Sequence, residues 1–314
     1  MVPLSERSRI TALVALARRL GAGLVTALAA VSLTFFALRL AAGDPVASLL
    51  SQGLTTPAQA EAIRRSLGYD LPLLQQYLHF LTNLTRGDLG VSLYSGQPVA
   101  AILGSQLAST LQLATLSLVF ALPLGILLGS VSSWKTRPTA RRIATTLSGL
   151  ATSLPVATTG VISLLIVSLL ARGRVRGIQL WLPALVLGFA AAGPFARAVH
   201  SGLESSLSSP FILAAKARGL RRGRRIYWHA LRPALPAAIA LISLEAAFLF
   251  AGTVVTETVF SRPGLGRTLV RSILQADFPV AQGIVALAAL IYVGSQMLAD
   301  GLGWVLDPRL RGSG

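Results

Sequence analysis

Few side chains in this sequence could do chemistry, and none of them is arranged for catalysis. A nucleotide-binding loop ends in Gly-Lys-Ser or Gly-Lys-Thr, so that backbone amides and the ammonium cradle phosphates. The chain has two lysines, Lys135 after Trp134 and Lys216 after Ala215, and neither closes such a loop. It cannot be its own ATPase of that type. His79, His200 and His229 lie far apart and outside any His-Glu-x-x-His run, so no metal centre is expected. Serines are many, but no Gly-x-Ser-x-Gly turn presents one as a nucleophile. Cysteine is absent, which removes disulfides and thiolate chemistry. One acid stands apart. Glu245, inside Leu244-Glu245-Ala246-Ala247, is expected to face a helix bundle or a pathway, either paired or protonated. A pathway role and a structural hydrogen bond would each account for it. Asp300, near the end of the last apolar run, reads as interfacial.

The elements that must hold these residues are apolar runs. Of 314 residues, 53% are hydrophobic and 12% charged, with a mean hydropathy of +0.68. A soluble domain carries about a quarter charged residues, so too few polar side chains remain here to cover a water-facing globule. A bilayer core about 30 Å thick needs about 20 apolar residues of helix. Six stretches qualify: 20–42, 111–131, 143–171, 180–199, 234–255 and 281–306. The first follows Arg18 and Arg19 and precedes Leu40-Ala41-Ala42-Gly43. It is longer than the roughly 7–15 apolar residues of a cleaved signal, and reads as a span. Lys and Arg number 28 against 11 Asp and Glu, a net charge of +17. In a soluble chain that charge would suggest nucleic acid. Here the basic residues sit between apolar runs without interleaved aromatics, which points to membrane lipid and topology and to no nucleic acid.

Orientation follows from where the basic residues fall. Arg7, Arg9, Arg18 and Arg19 precede the first span, and Lys135, Arg137, Arg141 and Arg142 join the second to the third. Arg197, Lys216, Arg218, Arg221, Arg222, Arg224, Arg225 and Arg232 crowd the fourth-to-fifth connection, and Arg309 and Arg311 close the chain. These are twice as many as in the other connections. Both termini and the basic loop are therefore expected in the cytoplasm. Arg172, Arg174 and Arg176 argue the other way, in a short connection this topology puts outside. The outer segment 43–105 carries Pro57, Pro72, Pro98 and an amphipathic stretch, 71–84, and reads as a small folded cap. The outer segment 256–280, with Pro263, Gly264 and Gly266, reads as a tight turn or re-entrant bend lining a path. Gly125-Ile-Leu-Leu-Gly129 is a small-xxx-small pattern that lets helices approach closely. Pro155, Pro183 and Pro194 are expected to break or bend spans three and four.

The fourth-to-fifth connection is the most informative stretch. Ser208 or Ser209 can cap a helix with Pro210 in its first turn, and Phe211, Ala214, Ala215 and Arg218 fall on neighbouring faces. Gly219 is a natural terminator, followed by a basic segment that runs to His229-Ala230-Leu231-Arg232-Pro233. A short helix with small residues lets another backbone approach, and its arginines would orient the contact. It reads as a knob for a groove on a cytoplasmic partner, with a solvated positive-inside loop as the plainer alternative.

This loop resembles the signature of binding-protein-dependent ABC importer permeases, Glu-Ala-Ala-x-x-x-Gly followed by a hydrophobic-Leu-Pro element. Ala214, Ala215 and Gly219 match it, Leu213 stands where the glutamate would be, and Leu231-Arg232 stands where Leu-Pro would be. The run from Ala215 through Lys216, Ala217, Arg218 and Gly219 to Leu220, with His229-Ala230-Leu231-Arg232 after it, is similar to the oligopeptide/dipeptide/nickel branch. Ala42-Gly43-Asp44-Pro45, Gly87-Asp88-Leu89-Gly90, the run from Glu257 to Arg267, and Leu306-Asp307-Pro308-Arg309-Leu310-Arg311 point the same way, in order along nearly the whole chain.

The resemblance implies an all-α membrane protein with about six transmembrane helices, a type I ABC importer transmembrane domain with a small extracytoplasmic cap between the first two spans. Residues 1–105 would be the first span and cap, and 106–314 the permease core with five spans and a coupling loop at 200–232. Ala214, Ala215, Lys216, Arg218, Gly219 and Leu220 would couple to an ATPase. Glu245 and Glu257 would lie on the pathway, and Arg262, Gly264 and Gly266 would face a solute-binding protein. The implied partners are a second homologous permease, cytoplasmic ABC ATPase subunits and an extracytoplasmic solute-binding protein, in a bacterial plasma membrane. ATP and Mg would be bound by those partners, leaving no cofactor in this non-enzymatic chain. The solute would be a peptide or a similar small molecule, nickel chelates included. The alternative, a secondary transporter driven by an ion gradient, needs more buried ionisable groups and often an inverted repeat. An intramembrane enzyme needs a nucleophile and base, or metal ligands, at membrane depth.

Overall fold

The computed structural model describes residues 6–170 and 178–306, and its regular elements are helices apart from one isolated bridge between Val91 and Pro98. In chain order they are α1 Glu6–Ala42, α2 Pro45–Ser51, α3 Pro57–Ser66, α4 Leu73–Thr85, α5 Val99–Ser132, α6 Pro138–Ser153, α7 Val156–Leu170, α8 Ile178–Leu207, α9 Pro210–Ala217, α10 Leu231–Val259, α11 Leu265–Leu274 and α12 Phe278–Leu306. A short turn, Arg222–Arg224, and a π-helical stretch, Arg225–Ala230, lead into α10. Arg172, Arg174, Arg176 and the closing run from Asp307 to Arg311 lie outside the described residues. So do the side chains of Arg7, Arg9, Arg222, Arg232 and Asp300.

Among the described residues four helical stretches are long and apolar enough to cross a membrane: Ala17–Ala41, Val99–Ser132, Leu180–Leu207 and Phe278–Leu298. A fifth crossing follows if the bent pair α6 and α7 is one span. Helix α10 stands where the fifth of the six expected spans falls, with 29 residues. Helix α5 begins at Val99, so the second span starts a dozen residues before the expected 111.

Two compact units emerge, and they do not follow a single cut of the chain at 105. The first joins Met1–Thr110 to Pro263–Val293. Its short helices have local reasons to exist. Asp44 accepts a hydrogen bond from the Val46 amide at the start of α2, with Pro45 at the first position. Thr56 and Gln59 form a reciprocal capping box at the start of α3, a device worth about 1 kcal/mol. The expected amphipathic stretch becomes α4. On α1, Phe35 stacks on Phe80 at 5.3 Å and meets Tyr77 edge-on at 5.2 Å, while the Arg39 guanidinium lies 3.6 Å over the Phe35 ring. Leu38, Ala276, Phe278 and Ala281 bury together beside Leu269.

The second unit joins Leu111–Arg262 to Gly294–Gly314 and is built around α8, which packs on α6, α7 and α10. Leu113, Ala121, Ala184, Leu187, Ala191, Phe195 and Leu249 form its main core. The small-xxx-small pattern does what it predicts. A Cβ on Gly125 would sit 2.5 Å from the Phe195 Cβ, and one on Gly129 would sit 2.5 Å from the Ala196 carbonyl oxygen, so both glycines set the α5–α8 spacing. Gly193, on α8, is equally close to the Thr152 hydroxyl of α6.

Of the expected proline effects, Pro155 breaks the third span, with α6 and α7 bent by 109°. Pro183 and Pro194 do not break the fourth: α8 runs through both. In a bundle, neighbouring side chains and small shifts re-satisfy the backbone groups such prolines free. The segment 256–280, expected on the outer side, is also more helical than expected, since only 260–264 separates α10 from α11.

Candidate functional site

The helix expected in the basic loop is α9. Ser209 takes the cap position with extended backbone (φ −76°, ψ 151°) and Pro210 opens the helix. The cap differs from the expected one in chemistry: the Ser208 and Ser209 hydroxyls donate backward, to the Ser205 and Ser206 carbonyls. The far end closes as the sequence requires. Gly219 adopts the left-handed conformation (φ +73°), its N–H donates to the Lys216 carbonyl, and the Leu220 N–H donates to the Ala215 carbonyl. That pair of bonds is the Schellman arrangement, for which glycine carries no Cβ penalty.

One side chain anchors α9. Ile212 is buried with Val199 and Leu203 of α8 and with Ile226 and Ala230 of the π-helical stretch. Much of the helix faces outward. Phe211 is 49% exposed and Leu213 59%, with Ala214, Lys216, Ala217 and Arg218 also exposed and Ala215 half-buried. Tyr227 and Trp228 add exposed aromatic surface nearby in the chain. Two large apolar side chains beside two cations and three alanines make a surface suited to a protein partner: apolar area for binding, small residues for close approach, charge for orientation. Behind it, His200 Nδ1 lies 2.9 Å from the Ser133 hydroxyl, tying the end of α5 to α8.

A second feature lies inside the same unit. Where α6 gives way to α7, a cavity of about 420 Å³ is lined by residues 151–156 together with Ala190, Pro194, Glu245 and Phe248. Glu245 is 7% exposed, and its Oε2 has no hydrogen-bond partner among the described residues. The guanidinium of Arg197 acts on it through space. The structure thus places Glu245 on a cavity wall. Sequence reasoning did not find Ala151 and Ala190 there. A usable signal existed in the prolines four residues beyond each, which have no N–H to give those carbonyls.

The remaining expected residues separate by burial. Glu257 is fully buried within α10. Arg262 donates to Gln112 Oε1 at 3.0 Å. In the first unit, Gly264 and Gly266 are buried, the Leu265 amide donates to the Thr110 hydroxyl at 2.8 Å, and the Ser109 hydroxyl donates to the Pro263 carbonyl at 2.6 Å. These glycines shape the turn, and Arg262 and Arg267 supply its charged surface. The sequence also hid a buried Asp277, which accepts from the Ser92 hydroxyl at 2.5 Å and the Leu93 amide at 3.1 Å. In the same unit, burial pushes the Tyr69 phenol up to about 12 against the opposing pull of Arg39. No group of three potential metal-ligating side chains occurs among the described residues.

The family described as "Binding-protein-dependent transport system inner membrane component" matches residues 121–312, and its N-terminal counterpart matches residues 12–123. The chain belongs to this family. It is 31% identical over 330 residues to the dipeptide transport system permease protein DppB of Escherichia coli K12, covering 94% of this chain and 97% of that one. It is 34% identical over 291 residues to the glutathione transport system permease protein GsiC of Pectobacterium atrosepticum, covering 91% and 95%. Among solved structures, an inward-facing MetNI methionine ABC transporter matches with a TM-score of 0.56 at 18% identity, covering 66% of this chain and 96% of that one. A bacterial ABC transporter that imports alginate matches at 0.51, with 18% identity, 80% and 99% covered. The permease therefore has the fold of type I ABC importer membrane domains, and it is the permease subunit of an ABC importer rather than an ion-driven carrier.

Proposed function

We propose that this permease forms half of a pathway for peptides, beside a second homologous permease, and that α9 carries motion to it from cytoplasmic ATPase subunits. The exposed face of α9, held to the bundle by Ile212 and closed by Gly219, is the observation that carries the coupling reading. ATP and Mg bind the partner subunits, this chain contributes no catalytic group, and both termini face the cytoplasm. ATP-driven closure of the motor pair displaces Ala214, Ala215, Lys216, Arg218 and Leu220 as one rigid knob. The two bundles then rock between inward- and outward-open states about the bound solute. The peptide class is supported by the dipeptide and glutathione relatives. Residues 43–105 form the cap, and with Arg262 and the turn at Gly264 and Gly266 they receive a loaded binding protein. Glu257 and Glu245 line or brace the route.

Gly219→Val tests the coupling role. A β-branched residue in the left-handed region is strained, on the order of 1 kcal/mol or more. Membrane levels of the variant should match wild type, while ATP-driven peptide uptake and binding-protein stimulation of ATPase activity are lost. Wild-type uptake by Gly219→Val would refute the role.

A further inference from the structure

The cavity at the α6–α7 break is lined mostly by apolar side chains, with acceptor groups on several sides and the first residue of α7 at its edge. Pro155 has no N–H to return to the Ala151 carbonyl, and Pro194 has none to return to the Ala190 carbonyl. All four of these residues line the cavity. The Glu245 carboxylate lines it too, with Oε2 buried and unpartnered among the described residues. Among the named lining residues no cationic side chain is present; Thr152 and Ser153 supply the only hydroxyls, and the Thr152 hydroxyl is already spent on the Ser148 carbonyl. Phe248 contributes an aromatic ring to the wall, a surface that suits a cation. The volume falls in the range of small-molecule sites, roughly 300–1,000 Å³.

We propose that this cavity is a transit site for a cationic amine of the transported solute, with Glu245 as counter-ion and the Ala151 and Ala190 carbonyls as further acceptors. A primary ammonium offers three donors and one positive charge to a wall with no cationic side chain among its named residues. The proposal rests on the permease reading above and refines it, naming the chemical group that the pathway itself recognises. With a neutral or purely anionic solute, only the Arg197 guanidinium, which is not among the residues lining the cavity, would offset the Glu245 carboxylate. An acid held in this way would also retain a solute with a free amino terminus long enough for the bundles to close behind it.

The test uses the complete importer, with its partner subunits and binding protein, in proteoliposomes. Dicyclohexylcarbodiimide, an apolar reagent for buried carboxyl groups, is added and modification of Glu245 is followed by mass spectrometry, with Glu245→Gln as the unlabelled control. Alanyl-alanine should slow labelling by about tenfold at ten times its dissociation constant, and N-acetyl-alanyl-alanine should not. Equal protection by potassium chloride would make this an inorganic-cation site and overturn the proposal. Equal protection by the acetylated peptide, no protection at all, or no labelling of Glu245 in the wild-type complex would overturn it as well. ATP-dependent uptake of alanyl-alanine measured in the same vesicles reports separately on the permease reading.

Discussion

The α5–α8 seam and the α6–α7 break share one compact unit and are built by opposite means. At the seam, missing side chains bring backbones together: Gly125 and Gly129 leave no room for a Cβ against Phe195 and Ala196. At the break, missing backbone donors hold structure apart: Pro155 ends one helix and the chain turns by 109° beside a cavity of about 420 Å³. Membrane helices gain little from hydrophobic burial against one another, so close packing must supply their association. The contrast teaches which parts should move together. A seam with backbone in contact transmits displacement, whereas a proline break beside a cavity can absorb it.

Overfilling the seam should give the larger effect. Gly129→Leu forces side-chain atoms into the Ala196 carbonyl and the Val199 side chain. Overpacking costs about 1–3 kcal/mol, and more where backbone must yield. The expected outcome is poor recovery of assembled complex and a lowered thermal unfolding midpoint. An unchanged midpoint would break the comparison from the seam side. A smaller effect is expected at the break. Pro155→Ala restores an N–H for the Ala151 carbonyl and removes the ring that enforces the turn. The complex should assemble normally while ATP-driven uptake falls roughly tenfold, because the turn beside the cavity is no longer enforced. Uptake equal to wild type would show that the break is held by packing alone.

Local features were legible in the sequence, and long-range ones were not. Pro210 and Gly219 specify both ends of α9 through bonds spanning a few residues, and Gly125 and Gly129 mark a close approach without naming the partner. The break at Pro155 was readable for the same reason. Pro183 and Pro194 carry the same residue type but sit inside an unbroken α8, because their effect depends on what the neighbouring helices offer. The Ser92–Asp277 bond spans 185 positions, and no local pattern announces it. Glu245 showed itself as an acid in an apolar run, whereas its cavity exists only once α6, α8 and α10 pack together. Glu257 looked like a loop residue because glycine and proline follow it, yet α10 continues past it and buries it.

The central proposal is that α9 lies in the cytoplasm and transmits the work of a separate motor to the α5–α8 seam. Because the chain has no cysteine, Leu213→Cys introduces a single thiol on the exposed face of α9. Crosslinking from that thiol in native membranes should capture an ATP-hydrolysing subunit, in a yield that changes with ATP. A membrane-impermeant maleimide supplied from outside should not block it. A thiol silenced by the external reagent, or one that never captures an ATPase subunit, would contradict the account.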